Sequence, residues 1–440
     1  MFDQGPDRGS LYGSAMARWR SYRQIHRIFF VCFLLFTIFV IDRYRVELAG
    51  TFTLPDRQGG AVQPEPGNER LDESMMAAGN STLGFHKILY LNMKVRYDRE
   101  DAMALQSYIS GVDIEDYAGV EFDMIDPVGM PPSHRPSVFK AGERGCWRAH
   151  ANIWSDMVRK KLPPVLIIES DATWDINVRP IMMDLNKYFV QFLRQINSTA
   201  VHDPSYGSKN NRHPMADSPF TIQRRNFGEP NATATPPPPI EYNPDDPWLS
   251  EHWDLFSLGQ CFEHGQDKDI KLIYPDPRVP AGKDYWGTKL GNERVVRKSG
   301  GITCTTAYAI SHTGAAKLLM RSAVDLDNPV DLLIRRLTLS RDLVAYSVMP
   351  PILAQWEYRH DVGQSERGAQ SDINGGKHKD TPPDTNMPGW PEVNQTGSVW
   401  ITKGHHRDVT FDKMALKVAW QQILGEGVLS NSWWNPKTRD

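Results

Sequence analysis

The sequence has no excess of charge of either sign: 50 Lys and Arg stand against 53 Asp and Glu, a formal net charge of -3. Outside the N-terminus it carries no long basic stripe. The electrostatic footprint of a nucleic-acid-binding surface is missing, and no nucleic acid is expected as a partner. Internal repeats are absent, which excludes solenoid and propeller architectures. Cysteine is scarce, with four in 440 residues. Cys32 sits in an apolar run, so Cys146, Cys261 and Cys304 can form at most one disulfide among themselves. Cys261 with Cys304 is the expected pair, and three buried reduced thiols are the alternative. Long apolar runs are equally scarce, since Ile28 to Ile41 (IFFVCFLLFTIFVI) stands alone.

That run covers 14 residues, against the ~20 a helix needs to cross a hydrocarbon core. Ile25 and Tyr44 extend it, and Arg27 and Arg43 can snorkel into the headgroups. A cleaved signal peptide is disfavoured by the long leading segment and by Glu47-Leu48-Ala49, a poor cleavage site. Arg18, Arg20, Arg23 and Arg27 crowd the N-terminal flank. The positive-inside bias then leaves residues 1–27 as a cytosolic tail, 28–44 as a signal anchor and the remainder in the lumen of the Golgi or endoplasmic reticulum. Four N-glycosylation sequons agree with that side of the membrane: Asn80-Ser-Thr, Asn197-Ser-Thr, Asn231-Ala-Thr and Asn394-Gln-Thr.

Residues 45–84 are rich in Gly, Pro, Glu and Asn and read as a flexible stem. Order is expected from Phe85. Lys87 to Asn92 is a short apolar strand, and Asp98 to Ile109 has helical spacing. Val120 to Ile125 is strand-like. From Gly142 a helix carries Cys146, His150, Ile153 and Trp154 on one face, and Pro163-Pro164 stops it ahead of the apolar strand Val165–Ile168. Residues 200–250 read as a surface insertion with a run of prolines. Regular sequence resumes at Trp253–Leu258. A strand follows at Thr305–Ile310, then a helix capped by Ser311 or Thr313. The alternation predicts an α/β fold, a mostly parallel Rossmann-like sheet flanked by helices, over residues 85–373. Residues 374–440 form a C-terminal extension with an amphipathic segment, Phe411–Leu424.

The chemistry concentrates at Val165-Leu-Ile-Ile-Glu169-Ser170-Asp171. A buried strand delivers two carboxylates to the carboxyl edge of the sheet, where open α/β sheets bind ligands. At i and i+2 on extended backbone they face the same way and can share a divalent cation with diphosphate oxygens. The alternative is that Glu169 and Asp171 solvate a strand end or cap the next turn.

The order Gly142-Glu143-Arg144-Gly145-Cys146, His150, apolar strand, acidic triplet resembles glycosyltransferase family 25, which includes lipooligosaccharide and collagen galactosyltransferases. Leu91-Asn92 with Arg96, Asp98 and Arg99 is similar to the family's N-terminal element. Trp253-Asp254-Leu255 with Leu258-Gly259, Thr306 to Ser311 with Gly314-Ala315 and Lys317 to Leu319, and Pro329-Val330-Asp331 follow in the family's order. The likeness runs from Phe85 to Ile373. It implies a GT-A fold, a UDP-sugar donor, Mn2+ (or Mg2+), and inverting transfer of a hexose, galactose above others, to a hydroxyl of a glycan or glycoprotein acceptor. One departure stands out: Glu169-Ser170-Asp171 replaces the family's Glu-Asp-Asp, which leaves the donor sugar open.

On that resemblance Asp171 is expected to hold the metal, with Glu169 on metal-bound water or the donor ribose. Asn92, Arg96, Arg99 and Asp126 are expected at the nucleotide. A carboxylate in a dry cleft suits the base that deprotonates the acceptor. Asp331 is the first choice and Asp254 the second, although Asp331 can equally cap the helix Leu332–Leu339. His150 reads as a hydrogen-bonded core histidine and Cys146 and Tyr308 as packing. His360 is a further possible metal ligand, and Trp433-Trp434 either stacks on glycan or docks the tail. Two rival readings are an inactive glycan-binding homologue and a metal-dependent phosphoester hydrolase.

Overall fold

The computed structural model describes residues 66–136, 139–201, 239–362, 388–403 and 411–425. The apolar run Ile28–Ile41, the sequon at Asn231 and Trp433-Trp434 lie outside them. Among the described residues no helix is long and apolar enough to cross a membrane.

The strands nearest the acidic triplet follow directly from their sequence. Helix α3 (Ala141–Lys160) opens where the Glu143 side chain accepts from the Lys140 N–H at 2.8 Å. It closes on Lys161 in the left-handed region, φ 52°. Pro163-Pro164 cannot prolong a helix, and the chain enters β3 (Val165–Glu169). Val165 and Ile167 pack on one side of the sheet with Trp154 of α3 and Tyr308. Leu166 and Ile168 pack on the other with Phe189 and Phe192 of α4 (Val178–Gln195). Both faces of β3 are therefore buried, which explains a strand with no polar alternation.

The main sheet has eight strands in the order β2 (Glu115–Ala118), β1 (Lys87–Asn92), β3, β12 (Ala307–Ile310), β5 (Leu255–Gly259), β13 (Ala345–Met349), β10 (Glu293–Lys298) and β7 (Lys271–Pro275). Pairings β2–β1, β1–β3 and β5–β13 are parallel. β12 runs against both its neighbours, and so does β10. Six of the eight strands thus point one way, and β12 and β10 the other. Helices α5 (His312–Val324) and α6 (Val330–Leu339) join α3 on one face; Ser311 caps α5 by accepting from Gly314 N–H at 3.1 Å. Beside this sheet, β4 (Ala172–Trp174), β14 (Leu353–Tyr358) and β15 (Trp400–Thr402) form a smaller one. β6 (Phe262–Glu263) pairs with β11 (Ile302–Thr303), and β8 (Asp284–Tyr285) with β9 (Thr288–Lys289).

Four expectations change. The edge strand is the polar Glu115–Ala118, while Val120–Ile125 holds a short 3-10 turn with Phe122 and Met124 exposed. An edge strand with one neighbour needs no apolar face, so hydropathy pointed to the wrong segment. Residues 66–78, placed in the stem, form helix α1 (Pro66–Ala78), whose Ser74 hydroxyl donates to Asn186 of α4 at 3.1 Å. The end of the expected surface insertion is core: Trp248 is fully buried and donates its indole N–H to the Leu83 carbonyl at 2.8 Å. The C-terminal stretch also joins the domain. α8 (Ala415–Leu424) contributes Leu416 to a cluster with Ala102 of α2 (Tyr97–Ser110) and Trp356 of β14, and α7 (Trp390–Thr396) precedes β15.

Candidate active site

β1 and β3 are parallel with Leu91 opposite Glu169, so both strands end at the same edge of the sheet. A cavity of about 140 Å3 opens there. Its floor is Leu91, Asn92, Glu169, Ser170 and Asp171; its walls are Gly119 to Phe122 beyond β2 and the start of α3 with Cys146 and His150. Two glycines set its shape. A Cβ on Gly145 would lie 2.4 Å from the Val120 carbonyl oxygen, and one on Gly119 would lie 2.5 Å from Met93 Sδ. The helix can approach the β2 loop this closely only because position 145 has no side chain.

Asp171 is 5% exposed. Arg99, entering from α2, brings its Nη2 to 3.2 Å from Asp171 Oδ2, and Gln355 of β14 places Nε2 3.3 Å from the same oxygen. The Asp171 carbonyl accepts from Trp356 N–H at 2.8 Å. Glu169 accepts from the Thr305 hydroxyl at 2.6 Å and keeps part of its carboxylate open to the cavity. Ser170 is buried, and its N–H donates to the Leu91 carbonyl at 3.0 Å. The Asn92 side-chain oxygen is buried with no hydrogen-bond partner, an arrangement that costs free energy until a ligand or water donates to it.

The floor is acidic. Burial pushes the Cys146 thiol well above its usual value, and the carboxylates of Glu169, Asp331, Glu143 and Asp171 push it further. Four anionic groups therefore act on one point, with Arg99 as the cation paired directly to Asp171. Such a floor suits a divalent cation in its donor chemistry, with Asp171 and Glu169 as hard oxygen ligands.

The residues expected from sequence separate into those the cleft gathers and those it does not. Asn92, Arg99, Glu169 and Asp171 line it. Arg96 does not, because its guanidinium is held by both oxygens of Asp98 at 2.8 Å. Burial alone would raise the Asp98 carboxyl, but the hydrogen bond and charge of Arg96, with Arg99 behind, hold it below its ordinary value. Asp126 is exposed and accepts from Val128 N–H at 2.9 Å, capping a 3-10 turn away from the cavity lining. Asp331 takes the second position of α6, accepting from Leu332 N–H at 2.8 Å and Cys304 N–H at 3.2 Å. Its charge still reaches Cys146.

Asp254 is corrected. It precedes β5, which points the same way as β3, so it lies at the opposite edge of the sheet from Glu169. Fully buried, it pairs with Lys317 at 2.5 Å and accepts from Val344 N–H at 2.8 Å. Asp254→Asn is therefore expected to lower stability by about 1–3 kcal/mol and to leave kcat unchanged, which thermal melts and steady-state rates on the same protein would check. His360 is 60% exposed and pairs with Glu357 at 3.7 Å, outside the cavity lining. Sequence reasoning missed Thr305 and Gln355, which hold the two acidic side chains from far along the chain and carry no local signal.

Cys261 and Cys304 are joined by a disulfide, with Cα atoms 5.5 Å apart. The asparagines Asn80 and Asn197 of two sequons are exposed, and Asn394 is half-buried in α7.

Residues 133–334 match the model of glycosyltransferase family 25 (LPS biosynthesis protein). Human procollagen galactosyltransferase 2 is 26% identical over 116 residues, 23% of this chain and 18% of that protein. A Drosophila melanogaster glycosyltransferase 25 family member is 29% identical over 139 residues, 29% of this chain and 21% of that one. Zebrafish (Danio rerio) procollagen galactosyltransferase 1 is 27% identical over 115 residues, 23% and 19%. The matches span about a fifth of the length of these curated relatives. Fold and family match therefore meet on the segment that holds Glu169, Asp171 and Asp331, and that segment is similar to glycosyltransferase family 25.

Proposed function

We propose that this chain is a metal-dependent, inverting glycosyltransferase of GT-A type that moves a hexose, galactose by preference, from a UDP-sugar to a hydroxyl of a glycan or protein. The observation that carries the reading is the meeting of Asn92, Arg99, Glu169 and Asp171 in one cleft at the carboxyl edge of the sheet. The procollagen galactosyltransferases among its relatives support galactose as the sugar. The apolar run Ile28–Ile41, with its basic N-terminal flank, supports an anchored protein facing the Golgi or endoplasmic-reticulum lumen.

Asp171 and Glu169 would hold Mn2+ or Mg2+, which when bound neutralises charge on the departing diphosphate. Arg99 adds a fixed positive charge beside Asp171. The unpartnered oxygen of Asn92 accepts a hydroxyl or imide N–H of the nucleotide. Asp331 is held by two backbone N–H groups and keeps a free lone pair on each oxygen. In the reaction it takes the acceptor hydroxyl proton as that oxygen bonds to the anomeric carbon and the carbon–phosphate-oxygen bond breaks, releasing UDP with inversion.

The second reading, an inactive glycan-binding homologue, is favoured by one observation: Arg99 already neutralises Asp171, and Ser170 adds no third carboxylate. The deciding experiment follows UDP release by the full chain with a panel of UDP-sugars and Mn2+, with calorimetry of UDP binding alongside. UDP release with one donor, abolished by EDTA, supports transfer. Absence of both turnover and metal-dependent UDP binding would abandon it for the second reading.

A further inference from the structure

Helix α3 places Cys146 and His150 four residues apart, on one face, opposite the end of β3. The ligand atoms of Cys146, His150 and Glu169 all lie within 4.8 Å of one another. His150 is fully buried, and its Nε2 has no hydrogen-bond partner; Glu169 Oε1, at 3.9 Å, is too far to be one. The ring is fixed from behind by the Tyr308 hydroxyl, 2.8 Å from Nδ1, which is itself held by the Trp154 indole N–H at 3.1 Å. When Nδ1 carries the ring proton and donates to Tyr308, Nε2 turns its lone pair toward the cavity, as ligating histidines with such an outer partner do. Cys146 is the one free cysteine among the described residues.

We propose that Cys146, His150 and Glu169 form a second metal site, for a zinc-class divalent cation, which overlaps at Glu169 with the all-oxygen site expected for Mn2+. One thiolate, one imidazole and one carboxylate are a donor set that zinc takes readily, with the fourth position open to the cavity. Magnesium and manganese prefer oxygen and gain little from the sulfur. Binding releases the Cys146 thiol proton to solvent as the sulfur–metal bond forms. The site shares Glu169 with donor binding. On the transferase reading above, zinc there takes Glu169 away from the donor and inhibits.

The other cluster of metal-ligating groups among the described residues has no such capacity. His134, Asp325 and Asp327 also come together, but Asp327 is committed to Arg321 at 2.9 Å and to Arg336.

The test is cobalt binding to the metal-stripped full chain, which reads the site without any turnover. One equivalent of Co2+ should give a thiolate-to-cobalt charge-transfer band and tetrahedral d–d absorption, both displaced by Zn2+. Cys146→Ser and His150→Gln should each remove the band or weaken Zn2+ binding by about 100-fold or more, and Asp171→Asn should retain it. No thiolate band in the wild-type chain, or a band that survives Cys146→Ser, overturns the site. If Cys146→Ser fails to fold, Cys146→Ala and His150→Gln decide the same point. Inhibition is read separately, as the ratio of UDP release with and without Zn2+ in each variant. A cobalt site without zinc inhibition would refute only the shared use of Glu169.

Discussion

Asp171→Asn is expected to lower kcat/KM for sugar transfer by about 10^2–10^3-fold, in the range lost when a fixed electrostatic stabiliser is removed. The substitution keeps size and removes one of the two carboxylates that face the cleft. It also takes the charge of Asp171 away from Arg99, whose side chain is 8% exposed and 3.2 Å from the carboxylate. Breaking one half of a buried pair costs about 3–5 kcal/mol, so lost activity alone would be ambiguous. The double variant Asp171→Asn/Arg99→Gln separates the effects. It should regain most of the melting temperature and none of the turnover, because the cation site is lost with the aspartate. If the single variant melts normally and transfers normally, Asp171 is not the metal ligand and the cleft has another centre.

The second large effect is at Cys261–Cys304. The bridge closes a loop with a sequence separation of 43. In the chain-entropy account that is worth about 4 kcal/mol. The loop behind Cys304 matters to the site. Cys304 sits in the left-handed region at φ 67°, its N–H donates to Asp331, and Thr305 next to it donates to Glu169. Cys261 N–H in turn donates to the Thr303 carbonyl at 3.0 Å, so bridge and backbone pin one short segment. Cys261→Ser/Cys304→Ser is expected to lower Tm by about 5–10 °C and to lower kcat more than it raises the donor KM. A melting temperature unchanged by thiol reductant, with kcat retained, would show that the bridge holds neither fold nor site.

Much of the fold could be read along the chain where one segment carried its own signal. Val165–Ile168 is apolar on both faces and preceded by Pro163-Pro164, and α2, α3, α5 and α6 have apolar stripes at helical spacing. Glu169 and Asp171 were legible for the same reason, since a buried strand ending in two acids has few other uses. Strand direction was not legible. Asp254 was the second candidate for the base after Asp331, yet it lies just before its strand begins, at the opposite edge from where Glu169 ends one. The polar edge strand Glu115–Ala118 gave no hydropathic pattern because it has no second neighbour. Gln355 and Thr305 reach the acids across separations of 184 and 136 residues, and nothing local to either position reports such a contact.

Trp356, 1% exposed, has one neighbour, Gln355, on the Asp171 carboxylate, and donates its own backbone N–H to the Asp171 carbonyl. Its ring is enclosed by Ala102, Met414 and Leu416, and β15 completes the small sheet to which it belongs. The acidic motif thus rests on a buttress built from the far end of the polypeptide. Trimming the chain at residue 373, where the sequence rhythm falters, would leave Glu169, Asp171 and Trp356 in place but remove Met414, Leu416 and β15, which back Trp356. The minimal unit that preserves the motif's geometry extends to α8.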